Sequence, residues 1–274
     1  MGNKIQTIYT TKTIESGKRL EVYKYSYPIT KGRESNNKEG RKGKEEISEE
    51  QKKANKEQKR KQTLYNARNN IIRLIASNEE DLRTFITLTY AENMQDIKQS
   101  RKDLDTFFKR LKRKYEDLKY IWVMEYQKRG AIHFHILCSI PVNIITAKSK
   151  EKKSIEQKQL ENEFSKKFWT HGFTDLRNIG EETEIKNLSK YIACYLVEDI
   201  LNLDLQGNRV YGYSKNLNKP IVNTLETRDS IEDLISLDNY KLQYINQYDL
   251  YYRNKKNEEV KGQVTYFDYE KNND

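Results

Sequence analysis

Hydrophobic and polar residues alternate with a two-residue period near the start of the chain. Lys4 to Thr13 and Arg19 to Tyr27 both follow it, and Glu15-Ser16-Gly17-Lys18 between them reads as a turn, which predicts a β-hairpin. Lys31 to Lys61 is a mixed, mainly basic run almost without hydrophobes. Gly32, Gly40 and Gly43 mark its first half as a flexible linker. From about Ile47 to Ala76 the period lengthens to that of a helix, with Leu64, Ile71, Ile72 and Ile75 as the apolar stripe. Thr84 to Tyr90 is β-branched and aromatic throughout and predicts a strand. Asp96 to Tyr115 returns to helical spacing, with Leu104, Phe107, Phe108, Leu111 and Tyr115 on one face. Two apolar, β-rich runs follow within Ile121 to Cys138, flanking Gln127-Lys128-Arg129-Gly130. Ser154 to Trp169 predicts a helix with Ile155, Leu160, Phe164 and Phe168 inward, stopped at His171-Gly172, and Phe173 to Ile179 a short strand. Glu184 to Leu201 predicts another helix, buried through Ile185, Leu188, Ile192 and Leu196. Arg209 to Tyr213 reads as a short strand and Asn218-Lys219-Pro220 as a turn. A polar helix near Ser230 to Leu237 and a strand pair, Leu242 to Arg253 and Val260 to Tyr269, complete the pattern.

The central order is strand, helix, strand, strand, helix, strand. This βαββαβ plan predicts an α+β, ferredoxin/RRM-like fold: an antiparallel sheet with its helices on one face and the other face open. The chain divides into an N-terminal hairpin and charged linker (1–46), a central domain (47–220) and a C-terminal extension (221–274).

The paired runs carry the candidate chemistry. If Ala131 to Cys138 is a strand, His133 and His135 project from one face, with Ile132, Phe134 and Ile136 on the other. A three-residue loop Lys128-Arg129-Gly130, with Gly in the left-handed position, sets Glu125 opposite His133 and diagonal to His135. Cross-strand neighbours lie ~5 Å apart and diagonals ~7–8 Å, close enough for all three to hold one cation on the open face. A two-residue loop would shift the register and put Glu125 on the wrong face. A lone strand histidine is usually structural or solvated. Two of this chain's three, however, sit two residues apart in its most apolar strand.

Charge adds a second line. The formal net charge is +10, which points to a polyanionic partner, although a Lys-, Asn-, Ile- and Tyr-rich chain also fits simple AT-rich coding bias. The 20 tyrosines could stack on unpaired bases or fill cores. Arg110, Lys112 and Arg113 crowd the end of the second helix, where they either complement the helix dipole or bind phosphate. Two cysteines, Cys138 and Cys194, are too few for a disulfide framework, and no signal peptide or membrane span is recognised, so a cytoplasmic protein without a membrane partner is expected. Tyr191 and Tyr195 lie one helical turn apart beside a buried stripe, as core residues or as reactive groups.

Taken together these residues resemble the HUH endonucleases, specifically the rolling-circle replication initiators of bacterial plasmids and small phages. Phe85-Ile86-Thr87-Leu88-Thr89 looks like the family's first strand motif. Glu125 with Arg129-Gly130-Ala131-Ile132-His133-Phe134-His135 looks like its metal motif, and Tyr191-Ile192-Ala193-Cys194-Tyr195 like its tyrosine motif. Tyr211-Gly212-Tyr213-Ser214-Lys215-Asn216-Leu217 resembles a segment found downstream. The likeness spans about residues 60–220 and implies that the central domain is an HUH endonuclease domain. It departs at one point: the Lys often found three residues after the nucleophilic Tyr is Cys194 or Glu198 here, so Lys190 is the candidate replacement.

The resemblance implies Mg²⁺ or Mn²⁺ on Glu125, His133 and His135, and nicking of single-stranded origin DNA through a 5′-phosphotyrosine on Tyr191. Tyr195 would serve the joining step, and Arg110, Lys112, Arg113, Arg129 and Lys190 would contact DNA. Host helicase and polymerase would act in trans, since the chain carries no phosphate-binding loop motif. A conjugative relaxase or single-strand transposase would share this chemistry. A non-catalytic nucleic-acid-binding module would need the basic and aromatic residues but not the Glu-His-His geometry.

Overall fold

A computed structural model of the chain describes residues 7–31, 48–127, 129–144, 146–147, 151–179, 209–226, 237–253 and 259–272. The expected helix Glu184 to Leu201, with Lys190, Tyr191 and Tyr195, lies outside them, as does nearly all of Ser230 to Leu237. The elements in chain order are β1 (Thr7–Ser16), β2 (Arg19–Lys31), α1 (Glu49–Ala76), β3 (Thr84–Tyr90), α2 (Ile97–Lys114), β4 (Tyr120–Tyr126) and β5 (Ile132–Cys138). They continue with α3 (Ile155–Phe168), β6 (Gly172–Asn178), β7 (Tyr211–Tyr213), β8 (Ile221–Leu225), β9 (Tyr240–Arg253) and β10 (Glu259–Lys271). The fold is α+β, with two five-stranded antiparallel sheets. The chain forms two units, residues 52–218 and residues 1–51 with 219–274.

In the central unit the strands lie in the order β6-β3-β5-β4-β7, and every neighbouring pair is antiparallel. Strand β5 is buried along its whole length, because it sits in the middle of the sheet. Phe134 meets Trp169, which also meets Phe107 of α2; Phe107 in turn meets Phe164 of α3. Both helices therefore pack on the Phe134 face of the sheet, opposite the histidines. Helix α2 buries Leu104, Phe107, Phe108 and Leu111, the stripe its spacing predicts. Asp96 starts it, accepting hydrogen bonds from the Lys98 and Gln99 amides at 2.8 and 3.1 Å. Helix α1 buries Leu64, Ala67, Ile71, Leu74 and Ile75, while almost all of residues 49–63 are exposed.

Helix α3 departs from its expected face. Ile155 is exposed, and Gln157 and Glu161 are buried with Phe164 and Phe168. The cause is the edge of the sheet. Strand β6 is the last strand, and its outward backbone groups need partners. The Leu176 amide donates to Glu161 at 3.0 Å, and the Gln157 side-chain amide donates to the Leu176 carbonyl at 3.0 Å. Lys153 closes the cluster on Glu161 and Asp175, both within 2.8 Å.

In the other unit the order is β8-β1-β2-β10-β9. The N-terminal hairpin closes at Gly17, which adopts a positive φ of 58°. The sequence pattern separates this hairpin from the C-terminal extension, yet the structure joins them. β10 pairs with β2 from Val264↔Tyr25 to Glu270↔Arg19, and β8, which the pattern does not show, pairs with β1. Arg19 ties the seam: its guanidinium donates to both Asp268 carboxylate oxygens at 2.8 Å and to the Tyr266 hydroxyl at 3.0 Å. Burial works against its charge, but the hydrogen bonds to Asp268 and the nearby Glu21 hold its pKa above the ordinary arginine value.

Candidate active site

The β4–β5 hairpin closes as the three-residue loop requires. Gln127 and Ala131 form the last backbone contact at 2.9 Å, the Gly130 amide donates to the Gln127 carbonyl at 2.7 Å, and Gly130 has φ +83°. That places Glu125 opposite His133 and Val123 opposite His135. Pairing with β3 and β6 extends the row across four strands: Phe173, Thr89, His133 and Glu125 lie side by side on one face. The next row on that face is Asp175, Thr87, His135 and Val123.

His135 is held from three sides. Its Nε2 lies 2.5 Å from Glu125 Oε2, and its Nδ1 shares a 3.3 Å hydrogen bond with the Thr87 hydroxyl. Phe85, from the same face of β3, stacks on the ring at 5.6 Å between centroids, with the planes 4° apart. A partner on Nδ1 fixes the ring and leaves Nε2 as the atom that addresses the site. His133 is different. It is 7% exposed, and its Nε2 has no hydrogen-bond partner among the described residues. Burial, reinforced by the nearby His135, pushes its pKa down to about 4 against the opposing pull of Glu125. The ring is therefore neutral near pH 7, with a lone pair to offer a cation. A buried polar atom left unpaired is costly and calls for a partner.

Two of the three expected ligands thus touch, and the third is adjacent with an unused nitrogen. Among the described residues no three His, Cys, Asp or Glu side chains form a ready cluster for a metal ion. The donor set nevertheless suits one. A carboxylate and two imidazoles would serve a divalent cation as ligands. The histidines themselves are buried, not displayed on an open face as expected.

The candidate DNA-binding residues are spread out. Arg129 is exposed at the hairpin tip, where it donates to the Gln127 side chain at 2.9 Å. Arg110, Lys112 and Arg113 belong to α2, on the other side of the sheet from the histidines. Arg110 is engaged there with the Phe168 carbonyl at 3.2 Å. His171 behaves as a helix-end residue, its Nε2 3.6 Å from Asp103. Cys138 is buried, and burial lifts its thiol pKa to about 12, so it is unreactive. Sequence reasoning did not assign roles to Thr87, Phe85 or Phe173. Their alternation was legible, but the β3 pairing that brings them into these rows was not.

Residues 83–199 match the model of the replication-associated protein ORF2/G2P family, a span that runs from the start of β3 past Tyr195. No curated protein and no solved structure matches the chain.

Proposed function

We propose that the chain initiates rolling-circle DNA replication by nicking and rejoining single-stranded origin DNA. The observation that carries this reading is the buried Nε2 of His133, without a hydrogen-bond partner among the described residues, beside the Glu125–His135 pair. A neutral imidazole at this place is wasted in a purely structural site and apt in a metal site. The family match supports a role in replication over the related transposase and relaxase chemistries. The element order and strand order of the central sheet support a ferredoxin/RRM-like plan. Residues 52–218 carry that sheet and would form the HUH endonuclease domain.

Glu125, His133 and His135 would hold Mg²⁺ or Mn²⁺. When bound, the ion supplies Lewis-acid polarisation and orientation of the scissile phosphate. Thr87 and Phe85 keep His135 aimed at it. The Tyr191 hydroxyl attacks phosphorus, forming a 5′-phosphotyrosine, while the displaced O3′ takes up a proton and leaves as a 3′-hydroxyl. Phosphodiester energy is retained in that link, so Tyr195 can serve the second transfer that rejoins the strand. Lys190 supplies positive charge near Tyr191 in sequence, and Arg129 at the hairpin tip contacts the DNA backbone. Host helicase and polymerase extend the released 3′ end in trans, in the cytoplasm. Among the described residues no helix is long and apolar enough to cross a membrane.

The test is incubation with single-stranded DNA of the chain's own replicon and Mn²⁺, with any adduct mapped by mass spectrometry. The adduct is expected on Tyr191 and lost in Tyr191→Phe, whereas Tyr195→Phe keeps the nick and loses joining. His133→Ala and EDTA should each abolish cleavage while DNA binding survives, because binding rests on phosphate contacts. Full cleavage in EDTA would rule the metal site out.

A further inference from the structure

An exposed aromatic ring stands in the same row as the candidate metal ligands. Phe173 is 64% exposed, on the sheet face that carries His133 and Glu125. Only Thr89 of β3 separates its strand from His133 in that row. With strands 4.7–4.9 Å apart, the two residues lie roughly 10 Å from each other. Phe173 is also one wall of a cleft of about 760 Å³ between residues 90–96 and 170–173. Asn93, Gln95, Thr170 and His171 line the cleft and offer it both donors and acceptors.

The walls are fixed before anything binds. The Ala91 amide donates to the His171 carbonyl at 3.0 Å, and Trp169 Nε1 to the Thr89 carbonyl at 3.1 Å. The buried Asp103 accepts from the Tyr90 hydroxyl at 3.0 Å. Gly172 is obligatory at this close approach, since a Cβ there would stand 2.2 Å from the Thr89 carbonyl oxygen. The Ile132 amide donates to the Met94 carbonyl at 2.8 Å, which couples the cleft wall to the start of β5. An exposed ring on such a rigid mount loses little entropy when a flat partner stacks on it.

We propose that Phe173 and the cleft beside it bind an unpaired base of the DNA strand, next to the phosphate that is cut. The proposal rests on the nicking reading above for the identity of the strand. A base lying this near the candidate centre belongs to a nucleotide at or close to the scissile bond. Stacking on Phe173 holds any base, while the amides of Asn93 and Gln95 can pair with base edges and favour some sequences. Such a contact also draws the strand out straight across the row of Thr89, His133 and Glu125.

The experiment measures binding of the full chain, in EDTA, to a thymidine oligomer and to an abasic oligomer of equal length. Phe173→Ala should weaken thymidine binding about tenfold and leave abasic binding unchanged. Phe173→Trp should keep wild-type affinity. The salt dependence should stay the same in both variants, because a stacked base releases no counterion. Unchanged affinity in Phe173→Ala overturns the proposal. So does equal loss on both oligomers, a Trp variant as weak as the Ala one, or no binding of either oligomer by the wild type. Cleavage assays with Mn²⁺ on the replicon strand keep the two readings apart. Wild-type protein that stacks thymidine through Phe173 but never cuts refutes nicking alone. Protein that cuts with Phe173→Ala binding as well as wild type refutes only the stacking site.

Discussion

The smallest unit that matters is one imidazole and its neighbours. His135 has Thr87 on one ring nitrogen, Glu125 at the other and Phe85 against its face. In the proposed metal site Thr87 would stand behind His135, and such partners tune affinity without touching an ion. Thr87→Val keeps shape and β preference while removing the hydroxyl. It should weaken Mn²⁺ binding about 10- to 100-fold, read as free Mn²⁺ by electron paramagnetic resonance, with little change in thermal midpoint. His133 stands apart because burial has already stripped it of its proton near neutral pH. Its neighbour Arg129 also disfavours the charged ring, so the hairpin tip helps keep the imidazole neutral.

At the scale of elements the hairpin turn decides whether there is a site at all. A shift of one residue would turn Glu125 to the helix face. Gly130, at φ +83°, holds the loop at three residues, and Gln95 packs within 3.1 Å of where a Cβ would be. Gly130→Val should cost about 1–2 kcal/mol in urea unfolding and cut cleavage more than stability, because the register relaxes with the turn. The sequence left this turn open between two loop lengths: the three-residue one put Glu125 beside the histidines, with Gly130 where a left-handed residue was needed, and the two-residue one did not. Thr84–Tyr90 and the α2 stripe were legible, since strong local periodicity survives packing. Helix α3 was not. Its buried Gln157 and Glu161 answer backbone groups of an edge strand, and no local pattern reports which strand becomes an edge. The same holds for β8, whose partner β1 lies some 200 residues earlier in sequence.

At the scale of the molecule, two units are interleaved in the chain, since residues 52–218 interrupt the other unit. The outer unit depends on contacts such as Arg19 with Asp268, separated by 249 positions. Removing that guanidinium takes from Asp268 its two-pronged hydrogen-bond partner and from the buried Glu21 a cation 3.5 Å away. Arg19→Ala should therefore destabilise the outer sheet by about 2–3 kcal/mol. Hydrogen exchange should quicken in β2 and β10 and stay unchanged in β3 to β6. Equal quickening in both sheets would mean that the two units unfold as one.

The pairing of β2 with β10 also sets an order of events during synthesis. Translation delivers about 5–20 residues per second, so the first hairpin waits many seconds for its strand partners to leave the ribosome. By then everything through residue 218, the whole inner unit, has already been made. The inner unit can fold on the nascent chain, whereas the outer sheet can close only once β8 and β10 have left the ribosome. A message truncated after residue 218 would thus still encode the complete inner unit, and would leave β1 and β2 without β8 and β10.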